Sequence, residues 1–382
     1  MPPKKNLPGN RKKNFYKKTR YYQQQRKKRI LAATAAGLSL FVIIAVFASV
    51  RAVSHKTTTE TESGSENGND SETAAQPVQP VTLTVSVVGD CTLGTDESFD
   101  YSTSLNNYYN TYGSAYFMEN VKDIFSQDDL SIANFEGTLT DSQYREDKMY
   151  AFKAPAEFAS IITDGAIEAV NTANNHSHDY GESSFDDTMA ALDAQGIVHF
   201  GYDETAVMDI KGIKVGLVGI YELNDHLERT RQLKDNIAKV KNEGAQLIIV
   251  IFHWGNEKEE VPDSNQMTLG RLAIDEGADL VCGHHPHVLQ GIEVYKGKNI
   301  VYSLGNFCFG GNSAPSDMDT MIFQQTFTIG ENGVESDNVT NIIPCSISSA
   351  DGYNNYQPTP AQGDEADRIL NKIQERSSWI DK

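Results

Sequence analysis

The stretch DLVCGHHPH, residues 279–287, decides how the rest of the chain is interpreted. It places three imidazoles next to a glycine and a proline, just past a predicted buried strand, which predicts a metal-binding loop. His176, His178 and His253 follow two other strand-like runs in the same way. A histidine-rich surface loop would explain one such cluster, but the same arrangement in three loops favours a shared site.

The charge is divided unevenly along the chain. The 382 residues contain 33 Lys and Arg against 52 Asp and Glu, a net charge of -19. Twelve of the basic residues and no acid fall in residues 1–29, which leaves 21 basic against 52 acidic residues in the remainder. A basic tail alone can indicate nucleic-acid binding, but this tail adjoins an apolar segment, so we predict no nucleic-acid partner.

Residues 30–50 (ILAATAAGLSLFVIIAVFASV) contain no charge and predict a single transmembrane helix. About 20 apolar residues cross a hydrocarbon core of about 30 Å. A cleaved signal peptide is the alternative, but the long basic region and long apolar run favour an uncleaved anchor. The positive-inside rule then makes residues 1–29 a cytoplasmic tail and puts the main domain outside the cell membrane. Residues 51–80 are rich in Thr, Ser, Glu and Gly and predict a disordered linker.

From residue 81 onward, strand-like runs alternate with helical segments, which predicts an α/β domain over residues 81–350. The first part predicts a mostly parallel sheet, and the strand-rich part beyond His287 predicts a second, antiparallel sheet as the partner layer. Residues 351–382 form a predicted C-terminal tail with an amphipathic helix at 364–380, which we expect to dock on the domain rather than on a partner. The four cysteines predict buried free thiols rather than a disulfide framework.

Polar side chains collect where the predicted strands end. Open α/β sheets place their sites at this edge because the loops there converge. Carboxylate, amide and imidazole donors together suit a divalent ion such as Mn²⁺, Zn²⁺ or Fe²⁺, one or two in number. Two ions held by a bridging carboxylate can activate water for attack on phosphorus or a carbonyl carbon, and Glu136 is the natural bridge. The side chains, in chain order, are Asp90, Asn134, Glu136, Asn175, His176, His253, His285 and His287.

Several motifs within residues 82–310 resemble, in order, those of CapA-type proteins. These are membrane-anchored capsule and poly-γ-glutamate synthesis proteins whose domain is similar to calcineurin-like metallophosphoesterases. The resemblance implies a metallophosphoesterase-type α/β sandwich that acts outside the cell in making, exporting or trimming poly-γ-glutamate or a related capsule polymer. It also implies an anionic capsule polymer or its precursor, and membrane polymer-synthase subunits, as partners. The motifs are Asp90, NFEG (134–137), ANNH (173–176), DYG (179–181), HWGNE (253–257), GHHPH (283–287) and YSLGNF (302–307).

Carried over by position, the resemblance makes Asp90 a ligand of the first metal and Glu136 the bridge between two metals. Asn175, His253 and His285 would bind the second metal, and His287 would return to the first. His176 would protonate the leaving group, a role suited to an imidazole. The remaining candidates have supporting or substrate-binding roles. They are Asn134 beside the bridging carboxylate, Lys153 for an anionic substrate, His284 in place of or supporting His285, and Asn306 for substrate or for its turn.

One position departs from the metallophosphoesterase pattern. Those enzymes have a histidine two residues after the first aspartate, whereas this chain has Thr92, a departure that CapA-type proteins share. A one-metal site is therefore an alternative to a two-metal site. Three functions stay open: a metal-dependent hydrolase or transferase in capsule synthesis, a non-catalytic assembly factor of a polymer synthase, and a general extracellular metallophosphodiesterase. The acidic domain would repel a polyanion unless a metal or a local basic patch offsets its charge.

Overall fold

A computed structural model describes residues 79–335 and 338–380. The predicted cytoplasmic tail, the transmembrane helix and the linker up to residue 78 lie outside the described residues. Within the described ranges, no helix has both the length and the apolar character needed to cross a membrane.

The described residues form seventeen strands and seven α-helices. The strands are β1 (Val81–Thr92), β2 (Leu130–Glu136), β3 (Thr138–Leu139), β4 (Lys153–Ala154), β5 (Ala169–Asn171), β6 (Val198–Phe200), β7 (Thr205–Ile210), β8 (Ile213–Tyr221), β9 (Leu247–His253), β10 (Leu280–His284), β11 (Ile292–Tyr295), β12 (Lys298–Val301), β13 (Asn306–Phe309), β14 (Asp319–Gly330), β15 (Gly333–Val334), β16 (Val339–Ser346) and β17 (Thr359–Pro360). The helices are α1 (Leu105–Tyr112), α2 (Lys122–Phe125), α3 (Ser160–Asp164), α4 (Glu182–Ala194), α5 (Thr230–Asn242), α6 (Ser264–Asp275) and α7 (Asp364–Ser377).

Two mixed sheets carry the fold in this part of the chain. In the first sheet, β1, β2, β5 and β6 are parallel and β14 and β16 extend the sheet antiparallel. In the second, β8, β9, β10 and β12 are parallel, with β7 and β11 antiparallel at its two edges. The parallel strands are rich in β-branched residues and buried along their length, as expected for strands covered on both faces.

The two sheets pack face to face and helices cover their outer faces. Side chains of β1 and β2, such as Val85 and Ile132, share one apolar core with Leu217 and Ile249 of the second sheet. A second core, centred on Phe135, lies under the helices of the first sheet. A third joins α5 and α6 to the second sheet. The result is an α/β sandwich of two sheets between helical layers.

The prediction of a separate antiparallel sheet was wrong. The strands β11 and β12 join the second sheet, whereas β13 and β14 pair with β1 of the first sheet and β16 pairs with β14. Strands β7 and β8 form an antiparallel hairpin at the edge of the second sheet.

The described fold continues past the predicted domain boundary at residue 350. Strand β17 pairs with β16, and Tyr356 is fully buried. Helix α7 then places Ile369 and Ile373 in the core shared by the two sheets. It docks on the domain as expected, although as part of the folded unit. The four cysteines are buried and unpaired, as predicted.

Candidate metal centre

The carboxyl ends of parallel strands from both sheets meet at one edge of the sandwich. In the first sheet, Asp90 of β1 is in register with Asn134 of β2, which is in register with Asn171 of β5. In the second sheet, His253 of β9 is in register with His284 of β10. Because both sheets end here, side chains far apart in sequence face one another across the interface between the sheets.

The first cluster of ligand-type atoms consists of Asp90, Glu136 and His253. One side-chain atom from each lies within 4.8 Å of the others, and all three side chains are buried. His253 Nε2 lies 3.5 Å from Glu136 Oε1 and 2.8 Å from Asn175 Oδ1. The structure therefore brings four of the predicted ligands to one point.

The second cluster consists of Glu257, His285 and His287, also within 4.8 Å of one another. His287 Nδ1 lies 3.2 Å from Asp90 Oδ2, and the ring centroids of His253 and His285 are 4.8 Å apart, so the two clusters adjoin. His285 and His287 have φ values of 94° and 56°, a left-handed conformation that costs about 1–3 kcal/mol at such positions. The backbone of this loop is therefore strained at the two residues, His285 and His287, whose imidazoles belong to the cluster.

Asn134 connects the members of the first cluster. Its Nδ2 donates to Asp90 Oδ1 at 2.8 Å and lies 3.5 Å from Glu136 Oε1 and 3.3 Å from His253 Nδ1. Its own Oδ1 accepts a hydrogen bond from Asn171 Nδ2 at 2.8 Å. The buried amide thus orients the carboxylates and the imidazole around it, as second-layer residues do at metal centres.

The carboxylates of the centre are buried with little compensation by fixed positive charge. Burial would raise the pKa of Asp90, but the imidazoles of His284 and His287 beside it bring that pKa well below its ordinary value. Burial and the neighbouring Asp90 raise the pKa of Glu136 to about 8. Within the described residues, no lysine or arginine forms an ion pair with either carboxylate. A buried acidic pair without such a partner favours the binding of a cation.

The imidazoles also suit metal binding. Burial, with the neighbouring imidazoles, lowers the pKa of His253 well below its ordinary value and that of His285 to about 3. These rings are therefore neutral near pH 7, which is the form that binds metals. His287 is the exception: Asp90 and Glu136 outweigh the opposing effect of burial and raise its pKa to about 9, so this ring must release a proton when it binds a metal.

Buried ring nitrogens in this region lack hydrogen-bond partners among the described residues. They are His285 Nδ1 and both nitrogens of His284. His284 Nδ1 lies 3.2 Å from Asp90 Oδ1, but the alignment is not that of a hydrogen bond. Because buried polar atoms are nearly always bonded, unpartnered imidazole nitrogens beside two carboxylates fit a divalent ion.

His176 occupies a separate position beside the clusters. Its Nδ1 lies 2.8 Å from Asp179 Oδ2, which orients the ring. Lys148 Nζ donates to the other oxygen of Asp179 at 2.6 Å and to the carbonyl of Asn175 at 2.8 Å. Burial lowers the pKa of His176 despite the opposing effect of Asp179.

The remaining predicted site residues divide into two groups. Asn306 lies at the centre, where its Oδ1 is 2.9 Å from His287 Nδ1. Lys153 does not join the clusters: its ammonium group donates to the carbonyl of Ser142 and lies 4.4 Å from the ring centroid of Tyr180. Lys148, which was not among the candidates, approaches His176 instead, with its Nζ 3.3 Å from His176 Nδ1.

Sequence reasoning did not select Glu257, Asp179 or Lys148. Glu257 ends the HWGNE motif, and its position four residues after His253 was the available signal. Asp179 follows His176 by three residues, the spacing of an oriented imidazole within one turn. No pattern in the sequence around Lys148 indicates a functional role, because its approach to His176 and Asp179 depends on the path of the loop at residues 141–152.

The fold and the centre define an α/β sandwich of two mixed sheets whose strand ends converge on clusters that can hold metal. The model of the bacterial capsule synthesis protein family PGA_cap matches residues 84–311. This chain belongs to that family.

Named relatives agree with this assignment. The chain is 30% identical to the capsule biosynthesis protein CapA of Bacillus anthracis over 253 residues, which cover 59% of this chain and 60% of the relative. It is 31% identical to the PGA biosynthesis protein CapA of Bacillus subtilis (strain 168) over 210 residues, covering 50% and 55%. The matches therefore span somewhat more than half the length of these relatives.

A hypothetical protein from Thermus thermophilus aligns with 69% of this chain and 98% of its own, with 14% identity and a TM-score of 0.43.

Proposed function

We propose that this chain is a membrane-anchored, extracytoplasmic, metal-dependent hydrolase or transferase in capsule or poly-γ-glutamate synthesis. The observation that carries the proposal is the convergence of Asp90, Glu136, Asn175, His253, His285 and His287 on adjoining clusters. These residues come from separate strand ends of both sheets. Packing alone does not require so many buried ionisable side chains at one edge.

The residues have distinct roles in this proposal. Asp90, Glu136 and His253, with Asn175, would hold one ion, and Glu257, His285 and His287 would contribute to a second. When bound, such ions supply Lewis-acid polarisation and neutralise charge at the reacting ester or amide. Asn134 and Asn306 hold the ligands in position, and His176, oriented by Asp179, is placed to transfer a proton.

The location and the partners rest on the sequence. The uncharged run at residues 30–50 supports a membrane anchor, and the basic residues before it support an extracytoplasmic domain. The names of the two Bacillus relatives support a capsule polymer or poly-γ-glutamate, or a precursor, as the material acted on. Membrane synthase subunits would be the partners, and the domain's geometry supports a metallophosphoesterase-type activity.

A test uses the full chain purified in detergent without chelator and loaded with Mn²⁺ or Zn²⁺. We expect turnover of bis-p-nitrophenyl phosphate or of a γ-glutamyl amide, reduced at least about 100-fold in His253→Ala, because the variant removes a ligand from the first cluster. His199→Ala is the matched control, since His199 bonds Asp193 on the surface. Turnover that is equal in the native protein and in His253→Ala would contradict the proposal.

One observation favours a second candidate, a non-catalytic assembly factor. Thr92 stands two residues after Asp90 and donates a hydrogen bond to Glu136 Oε2 at 2.7 Å. The Thr92 hydroxyl is a hydrogen-bond donor to the Glu136 carboxylate, but it does not replace the histidine ligand of the metallophosphoesterases. One of two ions would therefore be weakly held. This candidate predicts no turnover of either substrate class. It also predicts that the His176→Ala variant still restores capsule production in a host that lacks its own copy of the gene.

A further inference from the structure

A cavity of about 270 Å³ opens directly beside the metal centre. Four of its lining residues belong to the site already described, namely His176, Glu257, His287 and Asn306. Four of the other lining residues are aromatic, and the rest of the wall is mixed polar and aliphatic. The aromatic residues are Phe99, Tyr150, Phe152 and Phe309.

The aromatic rings form a continuous path from the surface to the site. Tyr150 is 45% exposed, and its ring centroid lies 5.6 Å from that of Phe99, which lies 6.4 Å from that of Phe152. The Phe152 ring is 4.6 Å from the His176 ring, and Phe309 is 5.6 Å from His287 on another side. Any group bound here would contact ring surfaces up to the imidazoles of the centre.

The charges around the cavity do not suit a polycarboxylate. Lys258 is the one lysine among the lining residues, which also include the carboxylates of Glu257 and Asp317. Asp317 is also paired with Lys372 at 3.2 Å. A γ-glutamyl chain carries one carboxylate per residue and would need several cations in the cavity wall. The lining therefore favours a neutral group next to the reacting bond.

The size and the polar edge of the cavity indicate which kind of neutral group it can bind. Sites for drug-sized ligands occupy about 300–1,000 Å³, so this cavity holds one ring-sized group rather than a run of polymer. Asn306, Asn312 and Ser316 also line it and offer donors and acceptors to hydroxyl groups. The negative faces of aromatic rings attract the polarised C–H bonds of a sugar ring.

We infer that this cavity binds a neutral glycosyl ring of the substrate, adjoining the bond held at the metal centre. The inference rests on the proposed function only for the position of the reacting group. It assigns the aromatic wall to substrate selection, and it places a glycosyl ring of the precursor or polymer beside the reacting bond.

The test measures binding without requiring turnover. Methyl glycosides of glucose, galactose, mannose and N-acetylglucosamine, and a γ-glutamyl tripeptide, are compared by saturation-transfer NMR with the full chain in detergent. We expect at least one glycoside to bind, Tyr150→Ala to weaken it at least about fivefold, and Tyr150→Phe to retain it. Tyr101→Ala is the control, because Tyr101 is an exposed tyrosine outside the cavity lining.

The outcomes separate this inference from the proposed function. Glycoside binding that Tyr150→Ala weakens supports the inference even if the metal-loaded protein hydrolyses nothing. Absence of binding by every glycoside overturns it. Binding of the tripeptide alone, weakened by Tyr150→Ala, also overturns it, as does glycoside binding that Tyr101→Ala and Tyr150→Ala weaken equally.

Discussion

Asn134 shows how much of the candidate centre depends on a residue that need not bind a metal itself. Its amide group is fully buried and contacts both carboxylates and the imidazole of the first cluster. Each contact restricts the orientation of a ligand-type side chain. Losing the amide would leave Asp90 and Glu136 to repel each other without a shared donor.

Asn134→Ala should therefore weaken metal binding about 10–100-fold, the usual effect of removing an orienting residue. The measurement is a Mn²⁺ or Zn²⁺ titration of the protein stripped of metal. Asn299→Ala is a matched control, because Asn299 is also a buried amide but donates to Gln325 in another part of the fold. Equal affinity in Asn134→Ala and the native protein would show that the network does not orient the ligands.

Single residues also show where sequence reasoning succeeds and where it stops. His253 was predictable because it ends an apolar strand, and strand ends of a parallel sheet converge. Glu257 lies beyond the strand, in a loop held by the bond from the Lys258 amide to the Pro286 carbonyl at 2.7 Å. That contact joins residues 28 positions apart, and no local pattern encodes it. The same limit explains why Lys148, and not Lys153, reaches His176.

At the scale of elements, the close approach of the two sheets depends on a glycine in β8. A Cβ atom added at Gly219 would lie 2.1 Å from Asn171 Oδ1 and 2.8 Å from the Cα of Gly201. Asn171 in turn donates to Asn134. The absence of a side chain at Gly219 therefore lets the second sheet approach the network that orients the first cluster.

Gly219→Ala should destabilise the fold by about 1–3 kcal/mol, the usual cost of overpacking, and weaken metal binding as well. Urea unfolding and a metal titration measure the two effects. Gly330→Ala is the control, since its added Cβ would approach only the carboxylate of Glu335 closely. Full metal affinity in a destabilised Gly219→Ala would separate sheet packing from the site and contradict the argument.

Helix α7 is attached to β14 by an ionic cluster around Asp319. Arg368 and Lys372 both donate to its carboxylate, which is nearly buried. Burial alone would raise the pKa of Asp319, but these hydrogen bonds bring it below its ordinary value. The attachment is therefore strongest when the carboxylate is ionised.

Asp319→Asn should lower the free energy of unfolding by about 2 kcal/mol at pH 7, the order of a hydrogen bond to a charged group. Because the folded pKa is depressed, the native stabilisation is full above the unfolded pKa of about 3.9 and declines as the pH falls below it. Urea unfolding at several pH values measures this. Glu365→Gln, which alters an exposed partner of Arg368, should cost less than about 1 kcal/mol. A difference between Asp319→Asn and the native protein that stays constant down to pH 2 would refute the assignment.

The assignment of strands to sheets could be predicted only in part. The alternation of strands and helices up to β10 predicts parallel pairing, because right-handed crossovers need intervening helices. After residue 287, strands follow one another without helices, which indicates antiparallel neighbours but not which sheet they join. The choice depends on long-range pairs such as Val85 with Gln325, for which local sequence carries no signal.

At the scale of the whole molecule, charge separates the two ends of the chain. Outside residues 1–29 it has 21 basic against 52 acidic residues, an excess that repels polyanions over the range of a Debye length, about 8 Å at physiological salt. A metal centre at a strand edge would concentrate positive charge at one place in this acidic domain. A substrate with one anionic group at the reacting bond and a neutral ring beside it suits this charge distribution better than a polycarboxylate does.

Binding of a divalent ion by the converged strand ends is the property on which the proposed function depends most. Elemental analysis of the full chain, purified without chelator, tests this directly when Glu136→Gln is measured in parallel. We predict one or two equivalents of a transition metal in the native protein and loss of at least one in the variant. A native protein that carries no metal and takes up none from added Mn²⁺, Zn²⁺ or Fe²⁺ would contradict the account.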